Sequence, residues 1–173
     1  DRLAIGGNLV SVGGVPATYV AELTDTGWQA LPGTGGPVQS LTRYQGALVA
    51  AGRSAFPFAG PSMWTGTGWT PLGVPANGGI TEMAAIGNDL IVAGPFTSIG
   101  GQPIAGLARW DGAVWHPMGS GLDAPVLDFE VHEGRLYACG AFTSSGTSPV
   151  TSVVVWDGTA WQPVGSGLPA SVG

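Results

Sequence analysis

The chain repeats one segment of its own sequence at nearly regular intervals, and this repetition limits the folds that are open to it. The segment Phe96–Leu122 (FTSIGGQPIAGLARWDGAVWHPMGSGL) recurs without a gap at Phe142–Leu168 (FTSSGTSPVTSVVVWDGTAWQPVGSGL). Leu9–Trp28 aligns with the first part of this segment, and a shortened copy occupies Phe56–Leu72. A repeated unit buries its apolar surface by stacking against its neighbours. The sequence therefore predicts an array of equivalent units.

Each unit contains a short apolar run that ends in glycine. The four runs are Leu3–Gly7, Leu48–Gly52, Leu90–Gly94 and Leu136–Gly140, at offsets of 45, 42 and 46 residues. A second apolar stretch precedes each of the last three runs, and a Gly/Ser/Pro loop and two further apolar stretches follow every run. These stretches are too short for helices and are rich in Val, Ile, Leu and Trp, which is typical of β-strands. The chain is therefore predicted to be all-β.

Four antiparallel strands repeated every 42 to 46 residues are typical of the blades of a β-propeller. The predicted repeats are approximately 1–36, which lacks its innermost strand, 37–79, 80–124 and 125–170. Residues 171–173 align with the start of the first strand in the last repeat. Two interpretations follow: a complete four-blade ring, or part of a larger propeller, including one assembled from two chains. The larger array is favoured, because open β edges invite pairing with another chain.

The composition argues against two classes of partner. Charged residues make up only 9% of the chain, the formal net charge is −6, and all five cationic residues are arginines. Nucleic acids and anionic membrane surfaces bind proteins through clustered cations, so we expect neither as a partner. No apolar run approaches the roughly 20 residues of a membrane span, and we expect no direct insertion into a membrane.

The tryptophans and the cysteine occupy repeated positions. A leucine, Leu23, fills the one tryptophan position of the array that lacks an aromatic ring, which indicates packing rather than stacking on a ligand. Cys139 is equivalent to Gly6, Ala51 and Ala93, so this position is predicted to hold a small buried side chain. The seven tryptophans lie at two positions: Trp28, Trp69, Trp115 and Trp161 at one, and Trp64, Trp110 and Trp156 at the other.

Acidic residues lie on the predicted first strands. Glu82 and Asp128 occupy equivalent positions, and Glu130 follows two residues after Asp128 on the same strand face. Because the first strand of a propeller blade lines the central channel, the sequence predicts that these carboxylates converge there. Carboxylate oxygens bind Ca²⁺, so Glu82, Asp128 and Glu130 are candidate calcium ligands. The alternative is a solvated acidic channel without a fixed ion.

Paired carboxylates also raise the question of glycoside hydrolysis, which requires two acids at a defined separation. The sequence does not define that separation, and no histidine or tyrosine recurs with these acids. We therefore predict that the chain is not an enzyme, has no catalytic residues, and needs no cofactor apart from the possible calcium. The loop RSAFPFAGPS of the second repeat is the most individual in the chain, and its residues Arg53, Phe56 and Phe58 are a candidate interaction loop.

The pattern LxVxGxFTSxGGxPxxxLARWDGxxWxPMGSGL, best matched by repeats three and four, resembles the kelch-like β-propeller repeats of secreted or surface-anchored bacterial proteins. The resemblance implies one repeat per blade and an extracellular, cell-surface or periplasmic location. It also implies a structural or protein-interaction role, with a protein partner or self-association, and no shared catalytic residues. The alternative is a carbohydrate-binding propeller with sites between blades.

Overall fold

A computed structural model describes residues 2–52 and 60–166. The predicted interaction loop with Arg53, Phe56 and Phe58 lies outside the described residues, as does the predicted terminal strand at 171–173. The described part of the chain contains β-strands and no helix, which confirms the all-β prediction. Nor does it contain any helix that would be long and apolar enough to cross a membrane.

The strands form four successive antiparallel sheets, named here sheets 1 to 4. Sheet 1 contains β1 (Ala4–Gly6), β4 (Val20–Thr24) and β5 (Gly27–Ala30), and the hairpin of β2 (Ser11–Val12) and β3 (Val15–Pro16) lies between β1 and β4 in the chain. Sheet 2 contains β6 (Val38–Tyr44), β7 (Ala47–Gly52), β8 (Ser62–Trp64) and β9 (Trp69–Pro71). Sheet 3 contains β10 (Glu82–Ile86), β11 (Asp89–Ala93), β12 (Leu107–Trp110) and β13 (Trp115–Pro117).

Sheet 4 contains β14 (Val126–His132), β15 (Arg135–Gly140), β18 (Val153–Trp156) and β19 (Trp161–Pro163). A second small hairpin, β16 (Ser144–Ser145) and β17 (Ser148–Pro149), lies between β15 and β18 in the chain. In each four-stranded sheet, spatial order follows chain order and every neighbouring pair is antiparallel. This is the predicted four-stranded unit, with short hairpins where the sequence predicted only loops.

The last hairpin of sheets 3 and 4 forms because an Asp-Gly pair reverses the chain. Gly112 and Gly158 adopt φ of 102° and 103°, a region that favours glycine. Asp111 accepts hydrogen bonds at Oδ1 from the N–H groups of Ala113 and Val114, at 2.8 and 2.9 Å. The reversal sets the register in which Trp110 pairs with Trp115.

The sheets stack in chain order, with an apolar cluster at each interface. Met83 belongs to the cluster between sheets 2 and 3, whereas Ala84 belongs to the cluster between sheets 3 and 4. Consecutive residues of β10 therefore serve opposite faces, as strand geometry requires. We call the face of each sheet toward the preceding sheet its front face and the opposite one its back face. The first strands β6, β10 and β14 lie next to one another, and Ser40 Oγ accepts a hydrogen bond of 3.0 Å from the N–H of Met83.

Candidate functional site

Glu82 and Asp128 occupy equivalent positions on the adjacent first strands β10 and β14. Burial raises the pKa of Glu82, and the charge of Asp128 raises it further. Asp128 also accepts a hydrogen bond of 2.9 Å from the N–H of Phe129. The repeat alignment placed both acids at one position, and the stacking of sheets 3 and 4 brings them together.

Glu130 follows Asp128 by two residues on the same face of β14. It occupies the position of Ala84, which packs in the cluster between sheets 3 and 4, so Glu130 belongs to the back face of sheet 4, where its side chain is exposed. Among residues 2–52 and 60–166, no three His, Cys, Asp or Glu side chains come together as a metal-binding group. The calcium hypothesis for Glu82, Asp128 and Glu130 stays a prediction.

Cys139 pairs with Asp128 across β14 and β15. Burial raises the pKa of its thiol, and the neighbouring charges of Asp128 and Glu82 raise it further. The position was predicted to be buried, but Cys139 is only half-buried, whereas its counterparts Ala51 and Ala93 are inaccessible. That part of the prediction was wrong, because the two alanines lie between packed sheets and Cys139 lies on the back face of sheet 4.

A cleft of about 670 Å³ opens between sheets 3 and 4 beside Glu82. Its walls are the start of β10, the segment that follows β11 and the linker that leads into β14. Phe96, Leu107 and Leu127 make the lining mainly apolar, and Glu82 and Asp123 contribute its carboxylates. Such a shape, apolar with a few polar groups, is typical of small-molecule sites.

Asp123 is already engaged by the protein itself. Its Oδ1 accepts hydrogen bonds from the N–H groups of Thr143 and Ser144, at 2.8 and 3.0 Å, and its Oδ2 accepts one from Thr143 Oγ1. These bonds hold the pKa of Asp123 well below its usual range. One repeat earlier, Asn77 accepts hydrogen bonds from the N–H groups of Thr97 and Ser98.

We call this contact, from the linker before a sheet to the loop after its second strand, the linker clasp. It explains the threonine of the FTS motif, because Thr97 Oγ1 accepts a hydrogen bond from Asn77 and Thr143 Oγ1 donates one to Asp123. Sequence reasoning missed the clasp, although Asn77 and Asp123 stand 46 residues apart at equivalent positions.

The tryptophans form one tilted pair in each of sheets 2, 3 and 4, with ring centroids 5.2 to 5.3 Å apart. In each pair, the tryptophan on the last strand of the sheet packs against the preceding sheet. In sheet 3, for example, Trp115 Nε1 donates a hydrogen bond of 3.1 Å to the carbonyl of Leu72. The rings of Trp69, Trp115 and Trp161 are buried. They stabilise the stack and present little surface for a ligand to stack on.

The Asp-Gly turns also use their side chains internally. Asp111 Oδ2 lies 2.7 Å from His116 Nε2, and Asp157 Oδ2 accepts a hydrogen bond of 2.8 Å from Gln162. Backbone N–H donors lower the pKa of both aspartates well below the usual range, and the His116 and Gln162 contacts lower it further. His116 thus has a structural partner that the sequence did not reveal.

Comparison with known proteins leaves the family open. No protein-family model matches the chain, and no curated protein matches it either. The similarity to kelch-like repeats therefore rests on the repeated residues alone.

Proposed function

We propose that this chain is a non-catalytic structural or protein-interaction β-propeller, either a four-blade ring or part of a larger propeller, of a secreted or surface-associated bacterial protein. The observation that carries the proposal is that the repeated polar and aromatic side chains are engaged within the fold. Asp111 and Asp157 hold turns, and Asn77 and Asp123 hold loops. The repeated side chains thus stabilise the turns, the loops and the packing between sheets.

The extracellular, cell-surface or periplasmic location follows from the resemblance to kelch-like repeats. The composition agrees with an interaction role, since a surface with only five cationic residues and a net charge of −6 offers few sites for nucleic acid or anionic lipid. A protein partner or self-association is the expected interaction.

An assay for turnover tests the non-catalytic part of the proposal. The purified chain is incubated with a panel of chromogenic glycosides, beside the variants Glu82→Gln and Asp128→Asn. We expect no turnover from any of the three proteins. Hydrolysis by the wild type that is lost in either variant would show that the carboxylate pair is catalytic and would overturn the proposal.

Carbohydrate binding is the second candidate, and the cleft between sheets 3 and 4 favours it. Leu127 lies at this cleft and is 67% exposed, so replacing it with arginine blocks the cleft without disturbing a packed core. If sugars bind there, isothermal titration with a glycan panel gives heat with the wild type and none with Leu127→Arg. Val10→Arg is the matched control, because Val10 is also exposed and lies in the first repeat. Equal binding by all three proteins would place the sugar elsewhere.

A further inference from the structure

Leu3 is exposed at a position that is buried in every other repeat. Its side chain is 59% exposed, whereas those of its counterparts Leu48, Leu90 and Leu136 are 4%, 0% and 0% exposed. The four leucines open equivalent apolar runs, so the difference does not come from the local sequence. It comes from the preceding sheet, which packs on each of the three counterparts.

Two other large side chains on the front face of sheet 1 are also less buried than counterparts in other sheets, although Ala21 on this face is inaccessible. Leu23 is 38% exposed, whereas its counterpart Trp110 is 7% exposed and the other two counterparts are half-buried. Trp28 is half-buried, whereas the equivalent rings in the other three sheets are buried. Leu3, Leu23 and Trp28 therefore form an apolar surface that has the composition of an internal interface.

The three internal interfaces show what covers a front face of this kind. In each, the back face of the preceding sheet supplies apolar side chains, and the segment after its last strand crosses the tryptophan pair. A Cβ added at Gly73 would come within 2.8 Å of the Trp110 ring, and one at Gly119 within 3.4 Å of the Trp156 ring. Gly33 lies against Trp69. A front face is thus normally covered by the back face of another sheet that is built from the same repeated sequence.

The back face of sheet 4 is also uncovered within the described part of the chain, and it carries Glu130 and His132 where sheet 3 has Ala84 and Ile86. Tyr137 and Cys139 are half-buried, whereas their counterparts Ile91 and Ala93 are buried between sheets. Gly165, the counterpart of Gly119, has open space where a Cβ would project, with no tryptophan against it. Both halves of one more interface are therefore present in the described part of the chain, one at each end of the stack.

We propose that the front face of sheet 1 binds the back face of sheet 4 in a second copy of this chain, head to tail. The proposal deepens the interaction role proposed above by naming the partner. Because the two surfaces differ, an assembly that gains a copy still has one free face of each kind. Two copies then close into a ring if the rotation between sheets permits it, and otherwise the association continues.

Sedimentation velocity at increasing protein concentration tests the association. We expect the wild type to move from one copy to larger species, and Leu23→Asp and Tyr137→Arg each to remain single while keeping the β-sheet circular dichroism of the wild type. Val10→Asp is the matched control, since Val10 is 82% exposed and its counterparts Thr97 and Thr143 are exposed as well. It should associate as the wild type does. A wild type that stays single at every concentration would overturn the proposal.

Mixing the two variants separates a head-to-tail contact from any other. Leu23→Asp retains the back face of sheet 4 and Tyr137→Arg retains the front face of sheet 1, so the mixture should form a one-to-one dimer and stop there. If the mixture remains single, the two surfaces do not pair.

Cross-linking distinguishes a second copy from closure within one copy. Leu3→Cys adds a thiol to the same interface as native Cys139, because their counterparts Leu136 and Ala93 belong to one cluster between sheets 3 and 4. A short bismaleimide should then give products of twice the mass or more, whereas cross-linked single chains would show that sheets 1 and 4 of one copy meet. Neither result bears on the turnover assay, so failure here and failure of the proposed non-catalytic role are recognised separately.

Discussion

Glu82 is the residue of the candidate site whose ionisation the fold opposes. Burial raises its pKa, and so does the charge of Asp128 on the next strand. Ser40, at the equivalent position of sheet 2, accepts a backbone hydrogen bond instead and carries no charge. A neutral side chain thus suits this position at the interface between sheets better than a carboxylate does.

Replacing Glu82 with glutamine should stabilise the protein at neutral pH. A carboxyl whose pKa is raised on folding contributes stability that is complete below its unfolded pKa, about 4.3, and is lost as pH rises through the folded pKa. Urea denaturation should therefore show Glu82→Gln with a higher midpoint than the wild type at pH 7 and with an equal midpoint at pH 3.5.

Glu133→Gln is the matched control for this change, because Glu133 is exposed in the turn between β14 and β15. Its midpoint should follow that of the wild type at both pH values. If Glu82→Gln is no more stable than the wild type at pH 7, the carboxylate pair is not a source of strain, and a favourable role for both charges would have to be sought.

At the scale of the element, the linker clasp joins segments that are 20 residues apart in the chain. Asn77 and Asp123 hold their loops through different groups, an amide and a carboxylate, and each accepts two backbone hydrogen bonds at one side-chain oxygen. The carboxylate accepts them more strongly while it is ionised, and for this reason the pKa of Asp123 is lowered. The amide accepts them at any pH.

The clasp predicts a difference in acid stability. A carboxyl whose pKa is lowered on folding contributes stability that is present above its unfolded pKa, about 3.9, and is lost as pH falls toward the folded pKa. Asp123→Asn imitates Asn77, so it should match the wild type at pH 7 and lose less stability between pH 4 and pH 2. Urea midpoints measured across this range test the prediction.

Two further variants check that the clasp is the cause. Asn77→Ala removes three hydrogen bonds from one clasp, two from backbone N–H groups and one to Thr97 Oγ1, and should lower the free energy of unfolding by about 1–2 kcal/mol at every pH. Asp25→Asn changes an exposed carboxylate in the turn between β4 and β5, and the variant should lose as much stability between pH 4 and pH 2 as the wild type does. An Asp123→Asn variant that unfolds in acid as readily as the wild type would contradict the role assigned to Asp123.

The strand order of sheets 2 to 4 and the Asp-Gly turns were predictable because they depend on local sequence and on repetition. The clasp was not, because a polar side chain in a linker reveals its acceptor role only when the loop 20 residues later folds over it. The half-burial of Cys139 was not predictable from its buried counterparts, since burial here depends on whether another sheet follows. The pairing of Glu82 with Asp128 needed both the alignment and the stacking of sheets.

At the scale of the whole molecule, stability is distributed over interfaces between neighbouring sheets. In such an array each unit is stabilised by its own contacts and by those with its nearest neighbours. The apolar clusters lie between sheets 1 and 2, 2 and 3, and 3 and 4. Equivalent residues therefore differ in energetic importance according to whether a sheet precedes them.

The leucines of the apolar runs provide the sharpest comparison. Leu90→Ala removes a buried side chain from the cluster between sheets 2 and 3 and should cost about 2–5 kcal/mol of the free energy of unfolding. Leu48→Ala, at the interface of sheets 1 and 2, should cost an amount in the same range. Leu3→Ala at the equivalent exposed position should cost no more than about 0.5 kcal/mol, measured by urea denaturation at low protein concentration.

The loss of unfolding free energy caused by Leu3→Ala, measured at several protein concentrations, tests whether a second copy covers Leu3. If a second copy covers Leu3, the wild type gains stability by mass action as its concentration rises and the variant gains less, so the gap between them widens. If sheet 4 of the same copy covers Leu3, the variant costs as much as Leu90→Ala even at high dilution. A gap that is small and independent of concentration would mean that the front face of sheet 1 stays free in solution, which would contradict the proposed association.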